Sequence, residues 1–552
     1  MRYFIYTILS IAFAWLFVYL FQPVLNFGYA GLPVLVLMIL AGLTGIEYSL
    51  KTSNKINKAS KLLPALTALA VIFLIFVPLI TSAPVFHAKQ YRNIIGEVKL
   101  GKDFSKHVAP ISTEEIRIVD KSIAYRVGDK VLGTKPSLGS QTTLGTFNIQ
   151  KVNGKLYWVA PLLHSGFFKW RKNRQGTPGY VMVSATNERD VRLVQEVNGK
   201  PVRIKYQKNA FFSDYLPRHI YFNGFMSKAF TDYTFEIDDD GNPFWVVTKY
   251  VKKVGFGGND AVGVIVVDAG TGDIKEYSIE DAPEWIDRIQ PENFIVEQLN
   301  DWGEYVKGFW NFSNEDKLTT TKGISLVYGV NNRAYWYTGL TSVGSDEGTV
   351  GFVLVDTRTK ETTWYKQIGA TEQAARRSAE GKVQEKGYDA TFPITYNING
   401  IPTYVMSLKD NAGLIKMIAM VSVEDYTIVG VGNNIKEALR AYKNALHSKG
   451  NAVAPNRFSE SFSVKSVVMR LSKDIRNGNT FYYIMLQNPE NKIFVGSSLI
   501  SNEITITQVG DSVEITYDED ENELVDISRF DNLNIKLQKT KAQKKKEEEF
   551  VQ

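Results

Sequence analysis

Among its 552 residues the chain has no cysteine. Disulfides, thiolate metal sites and cysteine nucleophiles are thereby excluded. Histidine is nearly as scarce: His87, His107, His164, His219 and His447 are scattered, with none of the short spacings that build a metal site. Charge is moderate and almost balanced, 64 Lys and Arg against 58 Asp and Glu. A formal +6 over this length is weak support for a nucleic-acid partner. The phosphate-binding glycine loop, the dinucleotide fingerprint and the zinc-protease helix motif are missing as well. No Ser–Lys pair stands out as a hydrolase centre. The sequence therefore assigns no catalytic residue, no cofactor-binding residue and no metal ligand, and the expectation is a protein that is not an enzyme.

What the chain does have, at its start, is apolar length. Residues 3–21, 32–46 and 62–80 carry no charge. Since roughly 20 apolar residues cross a bilayer core, residues 1–82 are expected to form three transmembrane helices. A cleaved signal peptide is the rival reading of the first stretch, with Arg2 as its only basic lead residue. The link at 22–31 is uncharged, whereas the next holds Lys51, Lys55, Lys58 and Lys61. Positive-inside bias puts that second loop in the cytoplasm. The N-terminus is then cytoplasmic, and everything beyond residue 82 is extracytoplasmic.

The rest of the chain repeats itself. Asn153, Asp240, Asn331 and Asn399 each open a polar turn, and the fifth residue after each is Trp158, Trp245, Trp336 or Tyr404. A further apolar strand follows every copy, at 180–183, 264–268, 352–356 and 417–421. A recurring pattern of this kind marks an array of small supersecondary units. Asn153-Gly154 and Asn399-Gly400 are two-residue hairpin turns that need positive φ, and Asp240-Gly241 and Asn331-Asn332 substitute for them. Helical segments separate the hairpins. Ser112-Thr113-Glu114-Glu115 reads as a capping box opening a helix with Ile116, Val119, Ile123 and Val127 on one stripe, ending near Gly128 or Gly133. Others are expected at 286–305, 371–377 and 434–446. One helix on one face of a small antiparallel sheet buries too little alone, so neighbouring units must share a core.

The expected fold class is α+β, with boundaries at 1–82 (transmembrane helices), 83–110 (a stalk), 111–230, 231–285, 286–370 and 371–450 (four repeats), 456–538 (a small all-β barrel) and 539–552 (a charged tail). The barrel rests on short strands at 464–471, 481–486, 493–494, 504–506, 513–517 and 524–527, and is OB-like or SH3-like.

The strand end Val266-Val267-Asp268-Ala269-Gly270-Thr271-Gly272 of the second repeat resembles the "VD-x-x-T-G" ending of the PepSY domain family, in which a helix precedes an antiparallel sheet. Val355-Asp356-Thr357-Arg358-Thr359 keeps part of it, with Lys360 where the family has glycine, and the first and fourth copies are more degenerate. The resemblance implies extracytoplasmic binding or regulatory modules, sometimes associated with peptidases, without catalytic residues of their own.

Three features invite chemistry and have plainer readings. The acidic run 236–242 could attract calcium, but it lacks a full ligand loop and reads better as a solvated turn. Phe167, Phe168 and Trp170 interleave with Lys169, Arg171, Lys172 and Arg174, a pattern suited to a lipid headgroup surface and equally to a basic loop. Tyr482 and Tyr483 could stack bases on an OB-like barrel, beside the strongly acidic 518–523. The leading expectation is a non-enzymatic, membrane-anchored scaffold or interaction protein of the cell envelope, able to self-associate or to bind other envelope proteins or polymers. The alternatives are a regulator of an envelope peptidase and, less favoured, a nucleic-acid-binding membrane protein.

Overall fold

The computed structural model describes residues 2–50, 58–102, 104–108, 115–329, 333–344, 348–398, 400–448, 461–476, 479–488, 492–498, 500–518 and 524–535. The fold is mixed α+β. Three apolar helices come first: α1 (Arg2–Phe21), α2 (Gly31–Leu50) and α3 (Lys58–Thr81). Two contain stretches long and apolar enough to cross a membrane, Gly31–Tyr48 and Lys61–Thr81; the apolar stretch in α1, Thr7–Phe21, is shorter. The helices run antiparallel in sequence order. Thr44 of α2 shares a hydroxyl hydrogen bond of 2.9 Å with Thr67 of α3, and a Cβ on Gly42 would lie 3.3 Å from Ser10 of α1.

Four sheets follow, antiparallel apart from one parallel edge strand on the third. The first is built on Lys155–His164, the second on Pro243–Val254, the third on Ala334–Ser342 and the fourth on Ile401–Lys409. Each of these strands carries one of the four turn-following aromatics, and each aromatic faces a valine on the next strand: Trp158 opposite Val183, Trp245 opposite Val267, Trp336 opposite Val355, Tyr404 opposite Val421. The rings are buried, at 8, 4, 4 and 1 % exposure. A buried ring with a polar atom needs a partner for it. Trp158 Nε1 donates to the Val119 carbonyl at 2.8 Å, Trp245 Nε1 to Tyr206 at 2.7 Å, Trp336 Nε1 to Gln290 at 2.9 Å, and the Tyr404 hydroxyl to Ala370 at 3.1 Å.

The same clasp closes around each ring. Two residues beyond the facing valine, the N–H of Ala185, Ala269, Thr357 or Val423 donates to the carbonyl two residues before the aromatic (Leu156, Pro243, Ala334 or Pro402). Its own carbonyl then accepts from the backbone at Val119, Tyr206, Gln290 or Ala370, the residue that receives the ring. In three units that residue sits immediately before the helix N-cap: Asp120 before Lys121–Gly133, Pro291 before Glu292–Glu304, Thr371 before Glu372–Lys382. The second unit departs from this, with only the short helix Leu216–Ile220, which begins ten residues after Tyr206.

Strand alternation sends successive side chains into different cores. In the first sheet, Tyr157, Val159 and Tyr180 pack with the second sheet, while Trp158, Ala160 and Val181 pack with the third. In the third sheet, Trp336, Val353 and Val355 meet the first, while Tyr337, Phe352 and Leu354 meet the fourth. The spatial order is therefore second, first, third, fourth. The outer ends are covered: helix Ile435–Ser448 lays Ala438, Tyr442 and Leu446 on the fourth sheet, and Ala282, Ile286 and Ile289 pack on the second.

Several local expectations need correction. The described part of 83–110 is not a stalk. Pro84–Arg92 is a helix, Val98–Gly101 joins the third sheet parallel to Thr362–Tyr365, and Phe104 and Val108 enter the core. The stripe from Ile116 does not begin a helix, because Asp120 caps it later by accepting from the Ile123 N–H at 2.9 Å; Ser112, Thr113 and Glu114 lie outside the described residues. Gly128 lies inside that helix and Gly133 ends it. The 286–305 helix starts only at Glu292, behind Pro291. Asn153 and Gly154 both take positive φ, 48° and 78°, as the turn requires. Asn331, Asn332, Asn399 and the tail from 536 lie outside the described residues.

Beyond these, Ser461–Arg476, Asn479–Leu486, Ile493–Ser497, Ser512–Asp518 and Leu524–Asn532 close into a five-stranded barrel with its own core. The segment expected as a strand at 504–506 is instead a 3-10 turn, Asn502–Thr505.

Candidate functional site

The densest buried polar chemistry lies where the first three units meet, on the extended segment that leads into helix Glu292–Glu304. Ile289 and Gln290 are pinned by their N–H groups to the Thr357 carbonyl, both at 2.8 Å, so the neighbouring side chains point to opposite sides. Asp287 lines a cavity of about 600 Å³, and Arg288 one of about 470 Å³. The Asp287 carboxylate accepts from the Lys151 N–H at 2.8 Å and from the Tyr328 hydroxyl at 3.0 Å, joining the first and third sheets. Burial raises this acid to about 6, against the pull of those two donors and of Arg288.

Glu236, on strand Ala229–Ile237 of the second sheet, is buried at 1 % exposure. Burial raises it to about 7, with Arg288 opposing and Asp287 adding to the rise. Its Oε1 accepts from Thr234 Oγ1 at 3.0 Å, while Oε2 is buried without a hydrogen-bond partner. Arg288 resists the loss of its proton on burial because Glu236, Asp232 and Asp287 surround it, yet its Nε and Nη2 are buried without hydrogen-bond partners. Ser325 Oγ, on the same cavity, is likewise buried and unpartnered.

The Arg288 cavity thus combines unused donors with aromatic walls from Trp158 and Trp336 and a rim of Arg117 and Lys121. The Arg117 guanidinium lies 5.8 Å from the Trp158 ring centre. Desolvation and the nearby Arg288 charge push Lys121 down. Glu292, on the same wall, is raised by burial, so the cavity is polar and of mixed sign. The hydroxyl–carboxyl pair Thr234–Glu236 lines neither cavity, so it meets no substrate-sized space there. The arrangement suits binding of a small polar group better than nucleophilic chemistry.

The residues singled out in the sequence are placed elsewhere. Four histidines sit in local contacts: His87 with the Ile80 carbonyl, His107 with the Tyr365 hydroxyl, His219 with the Gly272 carbonyl, and His164 buried in the first sheet. Among the described residues no group of three or more potential ligands is placed to hold a metal. In the acidic run, Asp238 closes its own turn by accepting from the Asp240 and Asn242 N–H groups, and Asp239 accepts from the Asn153 N–H. Tyr482 points into the barrel at 5 % exposure and offers no stacking face. Glu236, Asp287 and Arg288 were not recognised as a cluster. The available signal was positional: Glu236 lies between Phe235 and Ile237, and Asp287-Arg288 between Ile286 and Ile289, charged residues within runs that must be buried.

No family model matches the chain, and no curated protein does. Solved structures match only faintly. The Bombyx mori GH32 beta-fructofuranosidase BmSUC1 shares 9 % identity over 75 % of this chain and 70 % of its own, with a TM-score of 0.18. Trypanosoma rangeli sialidase shares 8 % over 71 % of this chain and 53 % of its own, TM-score 0.17. Synechocystis apocarotenoid oxygenase shares 11 % over 68 % of this chain and 59 % of its own, TM-score 0.15. At these scores the likeness carries no functional argument.

Proposed function

We propose that the chain is a membrane-anchored, extracytoplasmic scaffold of the cell envelope, working by binding rather than by turnover. The observation that carries this reading is how the sheets attach to the apolar helices. Among the described residues these hydrogen bonds gather at one end of the helical bundle: the Leu25 N–H donates to the Met226 carbonyl at 2.8 Å, the Tyr221 hydroxyl to Pro23 at 2.8 Å, the Tyr29 hydroxyl to Tyr250 at 3.0 Å, and the Phe256 N–H to Ser82 Oγ at 2.7 Å. That end carries the uncharged 22–31 link. Lys58 and Lys61 begin α3 at the other end, where positive-inside bias expects the cytoplasm. Three crossings then place the four sheets and the barrel outside.

Four PepSY-like units sharing cores in series offer a repeated sheet surface, which is consistent with assembly with envelope proteins or polymers. In the barrel, the first strand pairs with both the second and the fourth, and the third runs parallel to the fifth. That connectivity favours an OB-like over an SH3-like barrel, a fold whose surfaces are used for binding. The test is protease treatment of intact cells, or of spheroplasts where an outer membrane exists, with a C-terminal tag and an antibody to residues 51–61. Loss of the tag with protection of the loop is the expected result. A protected tag would invert the topology and remove the envelope reading.

A further inference from the structure

We propose that the surface formed by helix Phe167–Lys172 and the loop at Phe211 and Phe212 sits in the lipid headgroup layer and seats the sheets on an anionic membrane. The inference rests on the reading of the apolar helices as membrane spans.

The surface is aromatic, basic and close to α1. Phe168 is 80 % exposed and Phe212 54 % exposed. They project from a built base rather than a loose loop. Trp170 is buried and donates Nε1 to Asp214 Oδ2 at 3.1 Å; the Phe167 and Phe211 ring centres lie 5.2 Å apart, and Trp170 and Phe212 5.7 Å apart. Phe212 takes a positive φ of 53°, a conformation bulky residues seldom adopt unless their surroundings impose it. Lys169, Arg171 and Lys172 lie on the same short helix as Phe168 and are exposed. The acid at this base, Asp214, is buried, with Arg174 3.9 Å away.

One residue fixes where this surface lies. Arg218 donates Nη1 to the Phe212 carbonyl and Nε to the Tyr19 carbonyl, both at 2.9 Å, and its guanidinium covers the Tyr19 ring at 4.0 Å. Tyr19 is in the last turn of α1. Phe212 is therefore one side chain away from the point where an apolar helix leaves the hydrocarbon. Aromatic rings concentrate at that depth, and lysine and arginine there are drawn to anionic headgroups. The occupant of the face is accordingly the bilayer itself.

The chain's lack of cysteine makes the test direct. Single variants Phe168→Cys, Lys172→Cys, Leu69→Cys and Ser463→Cys of the full chain are labelled with an environment-sensitive fluorophore. They are then placed in nanodiscs of mixed phosphatidylcholine and phosphatidylglycerol containing spin-labelled quencher lipids. The expected result is quenching of positions 168 and 172 by headgroup-level labels, of position 69 in α3 by deep labels, and none at position 463 in the barrel. Reversing the charges at Lys169 and Arg171 to Glu should weaken quenching at 168 and remove its dependence on phosphatidylglycerol. If position 69 is quenched while 168 and 172 behave like 463, the inference is overturned and the anchor stands. If position 69 is not quenched either, the anchor reading fails and takes the inference with it.

Discussion

Two sets of aromatic residues divide the labour in this molecule. Trp158, Trp245, Trp336 and Tyr404 are buried, and each satisfies its polar atom on a backbone carbonyl. Phe168 and Phe212 have no polar atom to satisfy and stand in the open. Residue type alone does not separate the sets; context does. The first set follows a turn at fixed spacing and lands on the inward face of a central strand. In the second, Phe168 is interleaved with cations on a helix too short to turn all its rings inward, and Phe212 stands on the neighbouring loop. Architecture here is built from repetition, and the proposed membrane contact from a single local exception to it.

The comparison can be broken from the architectural side first. Trp336→Ala should empty a core position between the first and third sheets and cost about 3–5 kcal/mol, read by chemical denaturation of the full chain in detergent. A change below about 1 kcal/mol would mean the clasp is not what holds the unit.

The buried acids give the next effect, and its sign is fixed. Glu236 goes from an ordinary 4.5 to about 7, and Asp287 from 3.8 to about 6, both chiefly through burial. Between those limits the folded chain holds protons that the unfolded chain has lost. Stability from these two groups is therefore greatest below their unfolded values and is lost as pH rises through 6 and 7. The Glu236 share is up to about 3 kcal/mol, and Glu236→Gln should flatten denaturation midpoints between pH 5 and pH 8 relative to the unmodified chain. An unchanged slope would show that the acid is ionised in place.

A subtler change is Trp336→Phe, which keeps a smaller aromatic ring in the core but strands the Gln290 carbonyl. It should cost about 1–3 kcal/mol, less than the alanine variant by the same measurement. Smallest of all, Phe168→Ser should leave stability within about 0.5 kcal/mol while changing lipid contact. A large loss of stability would move Phe168 from the surface set to the core set.

Much of this is legible in the sequence. The turn-plus-five aromatics, the hairpins at Asn153-Gly154 and the helices capped by Thr371 and Asn434 are local signals, set by period and by backbone chemistry. What was not legible is long-range. Val98–Gly101 looks like linker because its strand partner, Thr362–Tyr365, lies far along the chain. The order second, first, third, fourth cannot be read from chain order, since strand alternation gives each sheet two apolar faces without saying which neighbour covers which. The Glu236–Asp287–Arg288 cluster was hidden for the same reason. Glu236 reads as the start of an acidic turn until the second sheet folds it inward against a segment some fifty residues away.

The central claim is that four units share one clasp, and hydrogen exchange reads it directly. The N–H groups of Ala185, Ala269, Thr357 and Val423 occupy the equivalent position in each unit and donate to Leu156, Pro243, Ala334 and Pro402. In the full chain in nanodiscs, followed by mass spectrometry with peptide-level resolution, all four should be strongly protected. Their exchange should be slower than that of the hairpin turns beside them. Exchange at any one of them as fast as in an open turn would show that the unit lacks the clasp and would contradict the fourfold account.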